Sequence, residues 1–173
     1  MFVRPRAAIG RNRSLSPNRR DSLLVRSGDG SDLKAVFQLN QKVFDEAWSS
    51  GSLYAALDSG FDLYLCETGG LLAGYILSQD ILDEVHIMQV AVDPDWQRQG
   101  IALRLSEHLF GSKAAMSKVL LEVRASNAAA RALYAKLGFI EDGCRKAYYA
   151  PNASGLREDA ILMSLSLRQS GAG

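Results

Sequence analysis

The chain has 173 residues, a formal net charge of +1 and two cysteines, a length that makes one domain able to bury about 70% of the surface its unfolded chain exposes. Cys66 and Cys144 lie far apart, and neither sits in a C-x-x-C pair or near a histidine at metal-ligand spacing; a disulfide framework and a metal site are therefore not expected, and a reducing, cytoplasmic setting is. No apolar run approaches the roughly 18 residues that span a bilayer, and no apolar signal core follows the N-terminal charges, so neither a membrane nor a secretory class is expected.

Residues 1–21 carry Arg4, Arg6, Arg11, Arg13, Arg19 and Arg20 ahead of the first acidic residue, Asp21, together with Pro5, Gly10 and Pro17. With so little apolar periodicity the segment reads as a disordered basic tail. It is open to three meanings: a start codon placed too early, a transit peptide, or a basic arm that touches RNA. Without those six arginines, fourteen basic side chains face nineteen acidic ones, a formal charge of −5 on the rest of the chain. Apart from the tail, direct nucleic-acid binding is not expected, and a cationic substrate is favoured.

Residues 22–173 read as one α/β domain without internal repeats. Val36, Phe37, Leu39, Val43 and Phe44 recur at helical spacing behind Asp32, a candidate N-cap, and a short helix is predicted over residues 53–57. Residues 61–67 and 71–79 read as strands joined at Gly69 and Gly70, and residues 86–92 as a β run ended by Asp93 and Pro94. A helix is predicted from about Ala102, with Ala102, Leu105 and Leu109 on one face. Residues 119–124 form a short buried strand. Ser126 and Asn127 offer N-cap chemistry to a helix whose stripe is Ala130, Leu133, Tyr134 and Leu137, stopped by Gly138. Two strands, over residues 139–147 and 161–167, flank a loop holding Pro151, Asn152 and Gly155.

The informative stretch is residues 90–103, VAVDPDWQRQGIAL, a strand, a tight turn and a glycine-containing loop that opens a helix. The backbone N–H groups of a first helical turn have no intrahelical partners, and with the helix dipole they suit an anion such as a pyrophosphate. At Gly100 a side chain would stand in the anion's place, Ala102 is small for the same reason, and Arg98 adds a charge-assisted contact. The Gly-Lys-Ser/Thr of a nucleotide triphosphatase loop and the Rossmann glycine fingerprint are both absent. By itself, one glycine at a strand-to-helix turn fits plain packing equally well.

Gln97-x-x-Gly100-x-Ala102 resembles the coenzyme A pyrophosphate motif of the GCN5-related N-acetyltransferases (GNAT). The run Leu121-Glu122-Val123-Arg124-Ala125-Ser126-Asn127, then Ala132-Leu133-Tyr134, Leu137-Gly138-Phe139, Arg145-Lys146, Tyr148-Tyr149 and Glu158-Asp159-Ala160, is similar to the RimI-like branch. Members of that branch acetylate the N-terminal alanine of a small-subunit ribosomal protein. The resemblance covers residues 83–167. It implies a mixed, mostly antiparallel sheet flanked by helices, with the fourth and fifth strands splayed around acetyl-coenzyme A. It further implies that Val90, Ala91 and Val92 line the pantetheine arm through their backbone, that Arg98, Gln99, Gly100, Ile101, Ala102 and Leu103 hold the pyrophosphate, and that Asn127 makes a further coenzyme contact.

Acetyl transfer needs a neutral amine, a stabilised oxyanion and a protonated leaving thiolate. A protein α-amino group, with a pKa of roughly 8, meets the first need more readily than a lysine near 10.4. Glu122 is a carboxylate inside an apolar run, costly to bury without purpose. Arg124 shares its face and offers a purely structural ion pair, whereas the resemblance makes Glu122 the proton acceptor. Tyr134 on an apolar stripe is by itself a core residue; the resemblance makes it the general acid that returns a proton to sulfur. His86 and His108 are expected to be structural or exposed, and Cys144, lacking a histidine partner, is not expected to form an acyl-cysteine. Asp83 and Glu84 are candidates for receiving the incoming ammonium group, and Tyr148 and Tyr149 for walling a peptide slot. The chain departs from the RimI-like pattern at Phe44-Asp45-Glu46-Ala47-Trp48, where the usual proline is missing, which leaves another N-terminus or a small amine as alternative acceptors; a non-catalytic coenzyme-binding module on the same fold is a separate alternative.

Overall fold

In the computed structural model the described residues are 23–151 and 155–167; the tail, the ends of the expected domain and Asn152 lie outside them. Leu24–Ser27 forms β1, Leu33–Val43 α1, Ser50–Asp58 α2, Asp62–Thr68 β2, Leu71–Ile81 β3, Glu84–Val92 β4, Ile101–Ser112 α3, Lys118–Arg124 β5, Ala128–Lys136 α4, Ile140–Tyr149 β6 and Glu158–Ser166 β7. One seven-stranded sheet runs in the order β1-β2-β3-β4-β5-β7-β6. Every neighbouring pair is antiparallel except β4 with β5. No helix among the described residues is long and apolar enough to cross a membrane.

Strand β1 had no sequence signal, because four residues are too few to display an alternating pattern. It is held instead by pairing with β2 and by Arg26, whose guanidinium reaches Asp32 at 2.8 Å and Glu67 at 2.6 Å. That contact also explains why Asp32 does not cap α1 with its side chain. Its carboxylate is engaged by Arg26 and by the Asp29 N–H, the latter as half of a capping box on the 3-10 turn before the helix.

The apolar faces of α1 and α2 cover one side of β2 and β3, burying Leu33, Val36, Leu53, Leu65, Tyr75 and Leu77. Helices α3 and α4 cover the other side over Val85, Ile87, Val119, Leu121 and Val123. Burial of side chains of this kind contributes about 1.5–3 kcal/mol each.

The pairing of β3 with β4 breaks at one point: Leu77 faces Gln89 and Ser78 faces Ile87, so Met88 is an extra residue. One inserted residue exchanges the two faces of a strand. Val85 and Ile87 therefore join the α3/α4 core, whereas Ala91 joins the α1 core. Gln89 accepts hydrogen bonds from Asn40 at 3.0 Å and Tyr75 at 2.9 Å, a buried set that pins β4 to α1 just after the bulge. Val90 and Val92 are turned toward α3 and α4.

Beyond the bulge β4 also loses its other neighbour. Its parallel ladder with β5 runs only from Glu84↔Lys118 to Ile87↔Leu121. From there β4 stays with β3 as far as Val92↔Gly74, and β5 stays with β7 as far as Arg124↔Ala160. A wedge opens between them, as expected for the fourth and fifth strands.

Gly74 sets how closely α3 approaches the wedge. A Cβ there would stand 2.8 Å from the Ala91 carbonyl oxygen and 2.9 Å from Ile101 Cγ2, neither of which can yield without moving β4 or the first turn of α3. Gly74→Ala is expected to destabilise the fold by about 1–3 kcal/mol, read as a lowered urea midpoint. It should also weaken coenzyme binding, because the displaced elements both line the cavity described next.

Candidate active site

A cavity of about 350 Å³ lies on the α3/α4 side of the wedge, lined by Val90 and Val92 of β4, by Gln97, Arg98, Gly100, Ile101, Ala102 and Leu103, by Asn127, Ala129, Ala130, Leu133 and Tyr134 of α4 and its cap, and by Val43 and Phe44. The fold thus brings together all but two of the predicted coenzyme residues, with Tyr134 beside them. The exceptions are Ala91, whose side chain is turned into the opposite core by the alternation of β4, and Gln99, which is exposed. Ala91 can offer a ligand only its backbone. Val43 and Phe44, at the end of α1, carried no signal beyond their place on an apolar stripe.

At the mouth of this cavity the chain adopts left-handed backbone twice, at Arg98 (φ 60°) and at Gly100 (φ 82°), the residue that caps α3. Such conformations turn successive N–H groups toward one point. A Cβ on Gly100 would meet no atom within 4 Å, so glycine is required there by backbone conformation rather than by crowding. The first bond of α3 runs from Arg104 N–H to Gly100 O at 3.0 Å. The N–H groups of Ile101, Ala102 and Leu103 precede it and have no carbonyl within the helix to bond, the arrangement that receives phosphate oxygens. Asn127 caps α4, its Oδ1 accepting the Ala130 N–H at 3.2 Å. Tyr134 is buried against Phe139, ring centroids 5.6 Å apart. Burial holds its phenol above the ordinary tyrosine range, so it keeps its proton.

Glu122 lies on the other side of the sheet. Val119, Leu121 and Val123 of β5 point into the α3/α4 core, so Leu120, Glu122 and Arg124 take the opposite face, which α1 and α2 leave uncovered. There a second cavity, about 340 Å³, is lined by Glu122 with His86, Met88, Leu120, Arg145, Tyr148 and Leu162 among others. A carboxylate in this position can accept a proton from an amine entering from that face.

The ion pair between Glu122 and Arg124 that the shared face allowed does not form. Arg124, only 6% exposed, stacks its guanidinium 4.1 Å from the Tyr149 ring centroid and bonds Glu158 at 3.2 Å, tying the end of β5 to the start of β7. Glu122 pairs instead with Arg145 at 3.0 Å. That partner comes from β6, two strands away, and adjacency in sequence gave no means of choosing it. His86, expected to be structural or exposed, lines the second cavity half-buried, 3.4 Å from Glu84. Asp83 and Glu84 do not reach either cavity: they border a separate groove, and Glu84 pairs with Lys118 at 2.9 Å. Tyr148 walls the second cavity, whereas Tyr149 is fully buried beneath Arg124. The Cys144 thiol is exposed, 3.6 Å from Asp159 Oδ2; local desolvation and that carboxylate hold it above the usual thiol range, the reverse of an activated nucleophile. His108 packs edge-on against Tyr64.

A sheet that splays beside a glycine-capped helix start defines a class, and residues 33–139 match the acetyltransferase (GNAT) family. The chain belongs to that family, whose acyl donor is acetyl-coenzyme A. It is 39% identical over 145 residues to the [ribosomal protein bS18]-alanine N-acetyltransferase of Escherichia coli K12, covering 83% of this chain and 97% of the relative. To the Haemophilus influenzae enzyme of the same description it is 34% identical over 142 residues, 80% of this chain and 95% of that one. The crystal structure of the E. coli ribosomal-protein-S18-alanine N-acetyltransferase superposes with a TM-score of 0.81 at 37% identity, covering 87% of this chain and 97% of that one. Ard1 from Thermoplasma volcanium shares the fold, with a TM-score of 0.75 at 21% identity over 86% of this chain and 99% of its own.

Proposed function

We propose that this chain is an N-α-acetyltransferase that acetylates the N-terminal alanine of a small-subunit ribosomal protein, working in the cytoplasm. The observation that carries the reading is the pair of cavities on opposite sides of the wedge, with the anion loop and Tyr134 on one side and Glu122 on the other. Relatives of that activity match this chain over nearly their whole length, which supports the choice of acceptor.

Acetyl-coenzyme A fits the first cavity by the open space at Gly100 and the first-turn N–H groups of α3. Bound there, it supplies the activated acetyl group. Residues 98–103 and Asn127 hold it, and the β4 edge freed by the splay offers backbone groups to its arm. The acceptor's α-ammonium approaches through the second cavity and gives a proton to Glu122. The neutral nitrogen then forms its bond to the acetyl carbon as the carbon–sulfur bond breaks, Tyr134 gives its proton to the leaving sulfur, and the second proton that the nitrogen sheds in becoming an amide restores the Tyr134 phenol. Both substrates are bound at once, and no cysteine takes part.

Purified protein with acetyl-coenzyme A is expected to acetylate peptides beginning with alanine at the α-nitrogen, located by fragment mass spectrometry, at a kcat/KM at least about a hundredfold above that for free polyamines. A preference for polyamines, or acetylation confined to lysine side chains, would contradict the acceptor assignment.

A further inference from the structure

The β6 strand is distorted where it meets Glu122. Arg145 faces Ala160 and Tyr149 faces Glu158, so Lys146, Ala147 and Tyr148 all stand against the single residue Asp159. Ala147 lies in left-handed backbone, φ 52°, and is fixed from both ends. Its N–H donates to Asp159 Oδ1 at 2.8 Å, and its carbonyl accepts from Arg157 Nε at 2.8 Å. Bulges re-aim side chains, and this one brings Arg145 and Tyr148 together on the wall of the second cavity, the guanidinium 5.4 Å from the phenol ring centroid.

The Arg145–Glu122 pair spans 3.0 Å, with the side chains 54% and 21% exposed. A pair that open to water contributes little to stability, so folding does not account for a strand distortion that delivers it. The walls around Glu122 include Leu120 and Leu162, which offer its carboxylate no hydrogen bond, and Tyr148, whose phenol gives it one. Arg145 is the cation that the fold sets against it.

We propose that Arg145 is a positioning residue, which holds the Glu122 carboxylate in one orientation for proton transfer and does not itself touch the reacting atoms. The proposal rests on Glu122 being the proton acceptor. A double-mutant cycle on kcat, with an alanine-starting peptide and saturating acetyl-coenzyme A, tests it. Arg145→Met is expected to lower kcat about tenfold without changing the KM for acetyl-coenzyme A, and Arg145→Lys to recover most of the loss. In a Glu122→Gln background, Arg145→Met should change kcat by less than about twofold. An equal loss in both backgrounds, or a loss confined to the peptide KM, would mean that Arg145 meets the acceptor directly and would overturn the proposal, as would full activity of Arg145→Met. A separate signature marks failure of the underlying reading: unchanged turnover in Glu122→Gln alone removes the proton acceptor and the positioning role with it.

Discussion

Glu122→Gln is expected to lower kcat for an alanine-starting peptide by about 10²–10³-fold near neutral pH, within the range that a positioned general base supplies. Glutamine keeps the shape of the side chain and an oxygen to face Arg145, so what is removed is basicity. The fold should tolerate the change, because Arg145 is more than half exposed and water can solvate it once its partner is neutral. The KM for acetyl-coenzyme A should stay within about twofold, since Glu122 lines only the cavity on the opposite side of the sheet from the anion loop. The deficit should shrink as pH rises through the α-amino pKa of roughly 8, because the acceptor then arrives neutral and needs no base. Steady-state kinetics over that pH range decide the matter. A deficit that grows with pH, or turnover equal to that of the parent, would exclude Glu122 as the proton acceptor.

Gly100→Val is expected to raise the dissociation constant for acetyl-coenzyme A by about a hundredfold or more, some 2.7 kcal/mol. Two effects combine. A β-branched residue at φ 82° is strained, and its side chain adds bulk at the cap of α3, in a lining position of the cavity. Gly60 separates the two effects, because it has φ 85° and equally empty surroundings but follows α2, away from the cavity. Gly60→Val should cost similar stability in urea and leave coenzyme affinity unchanged. Acetyl-pantetheine, which lacks the pyrophosphate, adds a second comparison: parent and Gly100→Val should use it about equally. Calorimetry and initial rates supply both readings. Equal losses with the two donors would mean that the substitution damages the arm or the fold rather than an anion site.

Much of this architecture was legible in the chain. The strands and helices that carry the site were marked by alternation or by helical stripes long enough to count, and the anion loop by a glycine between a strand and a helix. Boundaries moved by a residue or more, as at β4, which begins at Glu84, and β7, which begins at Glu158. Strand β1 left no mark because it is short and held by tertiary contacts. The loop over residues 98–103 could be read because the groups it presents are consecutive backbone N–H groups, which sequence order fixes.

What only the tertiary structure decided were the relations between elements. The Met88 bulge turns Val90 and Val92 toward the cavity beside α3 and α4 and Ala91 away from it, and a strand's alternation cannot reveal where an extra residue is inserted. The choice of Arg145 over Arg124 as the partner of Glu122 depends on which strand lies two places away in the sheet and on a distortion pinned by Asp159. Glu122 and Tyr134 were each readable as candidates, but their separation onto two faces of one wedge was not. Local sequence determines which groups a segment can present, because backbone periodicity is local; which groups meet is settled by long-range pairing and packing, and on this chain those set the site.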